Sequence, residues 1–153
     1  MNRVEAYARM YETIRLILEE EQDWTAAMAT VACELHHAFE YFHWTGFYRN
    51  VDEELVIGPY QGGHGCLRIT FDRGVCGAAA RTKQTQLVED VHQFEGHIAC
   101  SSSTKSEVVV PVLTPDGRLL AVLDIDSDDP AAFDAQDAKG LETIAAWLGM
   151  RYG

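Results

Sequence analysis

The sequence lacks an excess of basic residues and any long hydrophobic run. It contains 12 lysines and arginines against 24 acidic residues, for a formal charge of -12, so no basic surface can neutralise phosphates or anionic lipid headgroups. No apolar stretch approaches the roughly 20 residues that span a bilayer. The first residues are also too charged for the apolar region of a signal peptide. We therefore expect a cytoplasmic protein that binds neither nucleic acid nor membrane.

Cysteine is scarce, and its spacing excludes the usual structural roles. The four cysteines are Cys33, Cys66, Cys76 and Cys100. A cytosolic chain of this length can bury a full core and does not need disulfides to fold. No two cysteines form a C-x-x-C pair, and no His-x3-5-His pattern follows them. We predict no metal site and no cofactor, and thiols that are reduced and either inert or chemically active.

The chain also lacks repeats, low-complexity tracts and a Pro/Ser-rich linker, so its 153 residues predict one domain over 1–153. Apolar residues at helical spacing predict one helix over about 4–20 and a second after the N-cap Asp23. A third helix is predicted to close the chain after the N-cap Asp134, with Asp137 completing a capping box.

The middle of the chain is rich in β-branched and aromatic residues. "WTGFYRN" and "ELVIGPYQG" are separated by an acidic turn and predict one hairpin, while "EVVVPVLTPDGRLLAVLDIDS" predicts another across Thr-Pro-Asp-Gly. A strand is expected around Cys66 to Phe71, and a short helix from about Gly74. These elements predict an α+β fold, in which the N- and C-terminal helices pack on one face of a central antiparallel sheet.

Two carboxylates alternate on the last predicted strand. Asp124 and Asp126 share one side of an otherwise apolar strand, which is costly in a core unless a cation or a proton meets them. A solvated strand face explains them equally well. If the hairpin turns at Pro115 to Gly117, with its centre near residue 116, Glu107 lies opposite a residue near 125 on the last strand. The three acids can then cluster. Such a cluster raises the pKa of at least one member and can hold an ammonium group.

The remaining candidates are aromatic rings and thiols. Trp44 and Tyr48 share one strand face, which can line a pocket, whereas Phe47 takes the other face. Cys33, near the apolar stripe of the second helix, is expected to pack in the core.

The other three cysteines lie in glycine-rich or polar segments. Cys100 is in a polar loop, Cys66 is among glycines, and Cys76 is in the first turn of a helix, which favours its thiolate. Together with the acids and the aromatic rings, they indicate redox chemistry with one nucleophile and other thiols that resolve its oxidised form.

Several segments resemble those of the free methionine-(R)-sulfoxide reductases, a family built on the GAF domain. The resemblance runs from about Trp44 to Asp134 and includes the segments "WTGFY", "LVIGPYQG", "GVCGAAA", "LVEDVHQFEGHIAC", "SEVVVPV" and "VLDIDS". Its most specific part is the cysteine spacing. Ten residues separate Cys66 from Cys76 (76 - 66) and twenty-four separate Cys76 from Cys100 (100 - 76), as in the family.

This resemblance implies a function and a set of roles. Free L-methionine (R)-sulfoxide would be reduced to L-methionine through a cysteine sulfenic acid and an intramolecular disulfide, with thioredoxin as the reductant. Cys100 would be the nucleophile, Cys66 the principal resolving cysteine and Cys76 a second thiol near the pocket. The implied substrate-binding residues are Glu107, Asp124, Asp126, Trp44 and Tyr48.

Other interpretations use the same residues. A non-catalytic GAF module would bind a small ligand and signal, and a thiol-based redox sensor would use the cysteines without turnover. The wide apolar surface of the first helix indicates either a homodimer or core packing alone; its residues are Tyr7, Met10, Tyr11, Ile14, Ile17 and Leu18.

Overall fold

The computed structural model describes all 153 residues, which form four helices and one six-stranded sheet. The helices are α1 (Arg3–Ile17), α2 (Trp24–Ala38), α3 (Gly74–Thr82) and α4 (Ala135–Tyr152). The strands are β1 (Trp44–Val51), β2 (Glu54–Gln61), β3 (Arg68–Thr70), β4 (Gln86–Val88), β5 (Ser106–Leu113) and β6 (Leu119–Ser127). A short 3-10 turn, Val91–Gln93, follows β4.

The sheet is antiparallel throughout, in the order β3-β2-β1-β6-β5-β4. Both predicted hairpins are confirmed. Asp52 and Glu53 join β1 to β2 with φ values of 52° and 64°, as a tight two-residue turn requires. Residues 114–118 join β5 to β6, with Gly117 at a φ of 88°. The central pair, β1 and β6, brings the two hairpins together.

Helices α1, α2 and α4 cover one face of the sheet, as predicted. Their apolar sides pack with inward residues of the central strands in the main core, which includes Ile14, Leu35, Phe47, Leu123 and Leu148. The caps also agree with the sequence: Asp23 accepts from the Ala26 N–H, and Asp134 and Asp137 form a capping box. Apolar burial of this kind is the main stabilising contribution to the fold.

The opposite face of the sheet is covered by α3. Alternate residues of β5 point to opposite sides, so Val108 and Val110 join the main core while Val109 packs with Val75 and Ala79 of α3 in a second, smaller core. This double burial accounts for the continuous apolar run "VVV" in β5. The side facing α3 contains the polar residues described below.

Two sequence predictions outside the candidate site chemistry differ from the structure. Cys33 is exposed, not buried. Because a helix turns about 100° per residue, Cys33 lies about 200° around α2 from the buried residues Val31 and Leu35 and faces solvent. The strand expected from Cys66 is also shorter: β3 begins at Arg68, and Cys66 lies in the loop before it.

The side chain of Asp137 is fully buried at the start of α4 and ties α1 to the rest of the fold. It accepts hydrogen bonds from the hydroxyls of Tyr7 (2.7 Å) and Tyr41 (2.6 Å), and it pairs with the Arg3 guanidinium at 2.7 Å. The sequence predicted only its capping bond to the Asp134 N–H. Burial and the adjacent carboxylate raise the pKa of Tyr7 far above its ordinary value.

Asp137→Ala is expected to lower the free energy of unfolding by about 3 kcal/mol, because it leaves one buried and one half-buried hydroxyl and a guanidinium without their acceptor. Urea denaturation monitored by circular dichroism measures the change. Glu12→Ala is the matched control, since it removes an exposed carboxylate from α1 and should shift stability by no more than about 0.5 kcal/mol. Equal effects from the two variants would contradict a structural role for the buried carboxylate.

Much of the apolar surface of α1 is used within the single chain. Tyr7, Ile14 and Leu18 are buried in the main core, while Ile17 remains half exposed. The homodimer therefore stays a prediction. The fold contains no helix with the length and hydropathy that a bilayer crossing demands.

Candidate active site

Three adjacent strands bring the predicted acids and aromatics together. Asp126 of β6 lies opposite Trp44 of β1 on one side and opposite Glu107 of β5 on the other. Two residues back along β6, Asp124 lies opposite Gly46 and Val109. Since residues two apart on a strand share a face, both aspartates point to the α3 side. The hairpin count from sequence missed the partner of Glu107 by one residue.

A cavity lies between this face, α3 and the loops on either side. Its volume is about 40 Å³, which is room for about three water-sized spheres. Seven of the eight residues predicted for the site line it: Trp44, Tyr48, Cys76, Cys100, Glu107, Asp124 and Asp126. The eighth, Cys66, is not among the lining residues but is bonded to one of them.

Cys66 and Cys100 form a disulfide, with their Cα atoms 5.2 Å apart. Cys66 comes from the loop between β2 and β3, and Cys100 comes from the loop between the 3-10 turn and β5. Both residues are partly exposed, so an external thiol can reach the bond. The cavity described here is therefore that of the oxidised protein.

The three carboxyl groups are largely removed from water without matching partners. Asp126 is partly exposed, although one of its oxygens is buried. Glu107 and Asp124 are 7% and 4% exposed. One oxygen of Asp124 and one of Asp126 are buried and accept no hydrogen bond. Glu107 and Asp126, directly opposite each other, are also a like-charged cross-strand pair when ionised. A buried cluster of this kind is destabilising unless it holds protons or a cation.

Burial raises the pKa of all three acids. The pKa values of Glu107 and Asp126 lie well above those of ordinary carboxyl groups, first because of desolvation and then because Asp124 is close. The pKa of Asp124 is also raised by desolvation, but hydrogen-bonding neighbours, Glu107 first among them, partly offset this. Because desolvation disfavours the charged forms and the three acids interact, the cluster as a whole tends to retain protons.

Cys76 differs from its sequence prediction. It does lie in the first turn of α3, but burial raises the pKa of its thiol well above the ordinary value, and the nearby Asp124 and Glu107 raise it further. The favourable field of a helix N-terminus is small compared with these effects. Cys76 is thus a neutral thiol at neutral pH, with its Sγ 4.0 Å from Oε2 of Glu107.

Stacked aromatic rings form the wall on the β1 side. The ring of Trp44 stacks on that of Tyr48, with centroids 5.9 Å apart, and on that of Tyr60 at 5.3 Å. The Trp44 indole N–H donates to the Gly63 carbonyl at 2.8 Å. Trp44 thereby holds the glycine-rich loop that leads to Cys66. Tyr60 does not line the cavity itself but supports the ring of Trp44, a role that the sequence argument did not identify.

Small residues let the loops approach this wall closely. A Cβ on Gly65 would lie 2.9 Å from the Tyr48 hydroxyl oxygen, so a larger residue cannot fit there. On the other side, the Gly74 N–H donates to the Gly96 carbonyl at 2.9 Å, which anchors the loop that carries Cys100. His97 in this loop also lines the cavity, and its pKa is lowered by burial and by the nearby His92.

Comparison with known proteins identifies the fold and its relatives. A sequence profile of the GAF domain matches residues 12–150. The free methionine-R-sulfoxide reductase of Escherichia coli is 38% identical over 148 residues, covering 97% of this chain and 89% of that protein. The Saccharomyces cerevisiae protein of the same name is 37% identical over 152 residues, covering 95% of this chain and 84% of that one.

A solved structure agrees with both findings. The free methionine-R-sulfoxide reductase of Neisseria meningitidis, in complex with its substrate, superposes with a TM-score of 0.94 at 42% identity, covering 99% of this chain and 91% of that one. Fold and sequence match over nearly the full length of both chains. The chain therefore belongs to the free methionine-(R)-sulfoxide reductase family, which is built on the GAF domain.

Proposed function

We propose that this protein reduces free L-methionine (R)-sulfoxide to L-methionine. The observation that carries the proposal is one cavity lined by three clustered carboxyl groups, two of them buried, and by a cysteine that is half of a disulfide. The names of its full-length relatives supply the substrate and its stereochemistry. The need for a reducing dithiol also agrees with the cytoplasmic location expected from the sequence.

The acids give the cavity its selectivity for a free amino acid. An α-ammonium group in the cavity would donate to the unpartnered oxygens of Asp124 and Asp126 and relieve the repulsion among the acids. A methionine within a peptide has no such ammonium group. We assign Asp124 as its main anionic partner because it is the more deeply buried of the two aspartates with an unpartnered oxygen, and we assign Trp44 and Tyr48 as the apolar wall beside the substrate.

In the chemical step, Cys100 Sγ attacks the sulfoxide sulfur. A carboxylic acid, Glu107 or Asp126, protonates the oxygen, because an unassisted oxide is a very poor leaving group. Attack forms a bond between Cys100 Sγ and the substrate sulfur, and the protonated oxygen leaves as water. A water molecule then attacks Cys100 Sγ, which breaks the new sulfur–sulfur bond, releases methionine and leaves Cys100 as a sulfenic acid. The raised pKa values of these two groups favour their protonated forms, which can donate a proton and do not oppose the Cys100 thiolate by charge.

The disulfide is the product of the next step. The Cys66 thiol condenses with the sulfenic acid, forming the sulfur–sulfur bond and releasing water. The net reaction converts one sulfoxide and two thiols into one sulfide, one disulfide and one water. Thioredoxin then reduces the disulfide by thiol–disulfide exchange. Exposed Leu67, beside Cys66 and 72% accessible, offers an apolar contact for this partner.

The oxidised cavity also supports an order of events. Cys100 is held in the disulfide and cannot attack a sulfoxide, and the enclosed space beside it is small, about 40 Å³. Reduction of the Cys66–Cys100 bond frees the two loops from each other and allows the cavity to widen. The proposal therefore has substrate binding only after the disulfide has been reduced.

Separate assays with the R and S sulfoxides test the proposal. The protein is supplied with thioredoxin, its reductase and NADPH, and methionine is measured by chromatography. We expect methionine from the free R form, none from the S form, and none from the N-acetylated R form, which lacks the ammonium group. Ligand binding without methionine formation would instead favour the non-catalytic GAF module. A disulfide that forms with peroxide, again without methionine, would favour the redox sensor.

A further inference from the structure

Cys76 is the one cavity cysteine that the proposed reaction does not use. Its side chain is buried at 4% exposure and forms no disulfide. It lines the same cavity as the acids instead of packing only against apolar neighbours. A thiol in that position adds a sulfur donor to a cluster of oxygen donors.

The donor atoms lie close enough to share one cation. A single ligand atom each from Cys76, Glu107 and Asp124 fall within 4.8 Å of one another. In a tetrahedral zinc site, bond lengths of about 2.0 to 2.3 Å place the ligand atoms about 3.5 Å apart. Small side-chain rotations would bring the donor atoms from within 4.8 Å of one another to the spacing of a zinc site. The three residues come from α3, β5 and β6 and are far apart in the sequence. They therefore form no local motif such as C-x-x-C or a histidine pair, and the sequence alone did not predict this cluster.

An independent observation points to a cationic ligand. Asp124, nine-tenths buried, has an oxygen with no hydrogen-bond partner, and so does Asp126. An ammonium group satisfies such oxygens but makes no use of a thiol. A sulfur and two carboxylates together suit a borderline or soft divalent ion, whereas Mg²⁺ and Ca²⁺ prefer oxygen ligands alone. The small cavity has room for an ion with one or two waters.

We propose that the pocket of the reduced protein binds one thiophilic divalent cation of the Zn²⁺ class through Cys76 Sγ and the carboxylates of Glu107 and Asp124. Binding releases to the buffer the thiol proton of Cys76 and any proton held by the two carboxyl groups, and water completes the coordination. Because the ion takes Asp124, which is assigned as the main partner of the substrate ammonium, and occupies the same cavity, it excludes methionine sulfoxide. This inhibition, though not the binding, rests on the proposed reductase function.

Cadmium is the direct probe, because its bond to a thiolate has an ultraviolet charge-transfer band. The test protein carries Cys33→Ser, Cys66→Ser and Cys100→Ser, so that Cys76 is its only cysteine. We expect this protein to show the band on binding one Cd²⁺, and added Zn²⁺ to compete with it. Absence of the band would overturn the proposal.

Two carboxylate variants in the same background distinguish a built site from a lone thiol. Asp124→Asn should weaken Cd²⁺ binding at least about tenfold, whereas Asp129→Asn, which changes an exposed acid just after β6, should leave binding unchanged. Circular dichroism establishes that each variant folds. Equal affinity in both would mean that Cys76 binds the ion without the acids, and would overturn the assignment.

Inhibition is measured separately, in single turnovers of pre-reduced wild-type protein without added dithiol, because dithiols chelate zinc. Zn²⁺ should slow methionine formation, and high methionine sulfoxide concentrations should restore it. Zn²⁺ that does not slow methionine formation would overturn the inhibitory role. If the wild-type protein forms no methionine even without metal, the reductase proposal fails, while the cadmium result still decides whether the metal site exists.

Discussion

Cys100→Ser is expected to lower methionine formation by at least about 10³-fold, because a serine hydroxyl is a much weaker nucleophile and cannot carry the oxygen as a sulfenic acid. The effect should fall on turnover and leave substrate affinity nearly unchanged, since the acids and aromatic rings remain. Single-turnover assays with the pre-reduced protein measure methionine directly.

Cys66→Ser distinguishes the nucleophile from the resolving cysteine. Without an external reductant it should form about one methionine per protein and then stop with Cys100 as the sulfenic acid, whereas Cys100→Ser should form none. Cys33→Ser is the matched control, because Cys33 is exposed on α2 and its loss should leave turnover unchanged. If Cys100→Ser formed one methionine and Cys66→Ser formed none, the two roles would have to be exchanged.

The arrangement of strands and acids could be predicted largely from local patterns. Turn residues and β-rich runs fixed both hairpins, and the turn position placed Glu107 within one residue of its observed partner, Asp126. Alternation along β1 then separated Trp44 and Tyr48 from Phe47, which pack in different cores. These features depend on residues near one another in sequence or in a single hairpin register.

Environments formed across distant elements could not be predicted in this way. Cys76 becomes a neutral buried thiol only because α3 packs over the acids of β5 and β6. Likewise, Asp137 receives hydrogen bonds from Tyr41 and Tyr7, 96 and 130 residues away. Helical periodicity locates the helix but does not determine which polar side chains meet at its end.

Asp124→Asn is expected to reduce kcat/KM about 100-fold or more and, at the same time, to stabilise the protein. The loss follows from removing the main anionic partner of the substrate ammonium, since truncating one side of a buried charge pair costs about 2 to 5 kcal/mol. The effect should appear mainly as a higher KM. Asp129→Asn, an exposed change near the end of β6, should alter neither quantity.

The gain in stability has a defined pH dependence. Burial raises the pKa of Asp124, Glu107 and Asp126 in the folded state, so between the ordinary and the raised pKa values the folded protein binds more protons than the unfolded chain. Its stability must therefore fall as pH rises through this interval. Asparagine carries no charge, and its presence lessens the repulsion between Glu107 and Asp126. The free energy of unfolding of the variant should therefore exceed that of wild type by about zero near pH 4 and by on the order of 1 kcal/mol at pH 8.

Urea denaturation of the reduced wild-type and variant proteins at both pH values measures this difference. A variant less stable than wild type at pH 8 would show that Asp124 holds the fold together, and its assignment to the substrate would lose its support. A variant that is more stable but inactive would instead show that Asp124 destabilises the fold and is needed for activity. This is expected of an acid whose charge is balanced only when a cationic group binds. The buried, unpartnered oxygens of Asp124 and Asp126 make the second outcome the expected one.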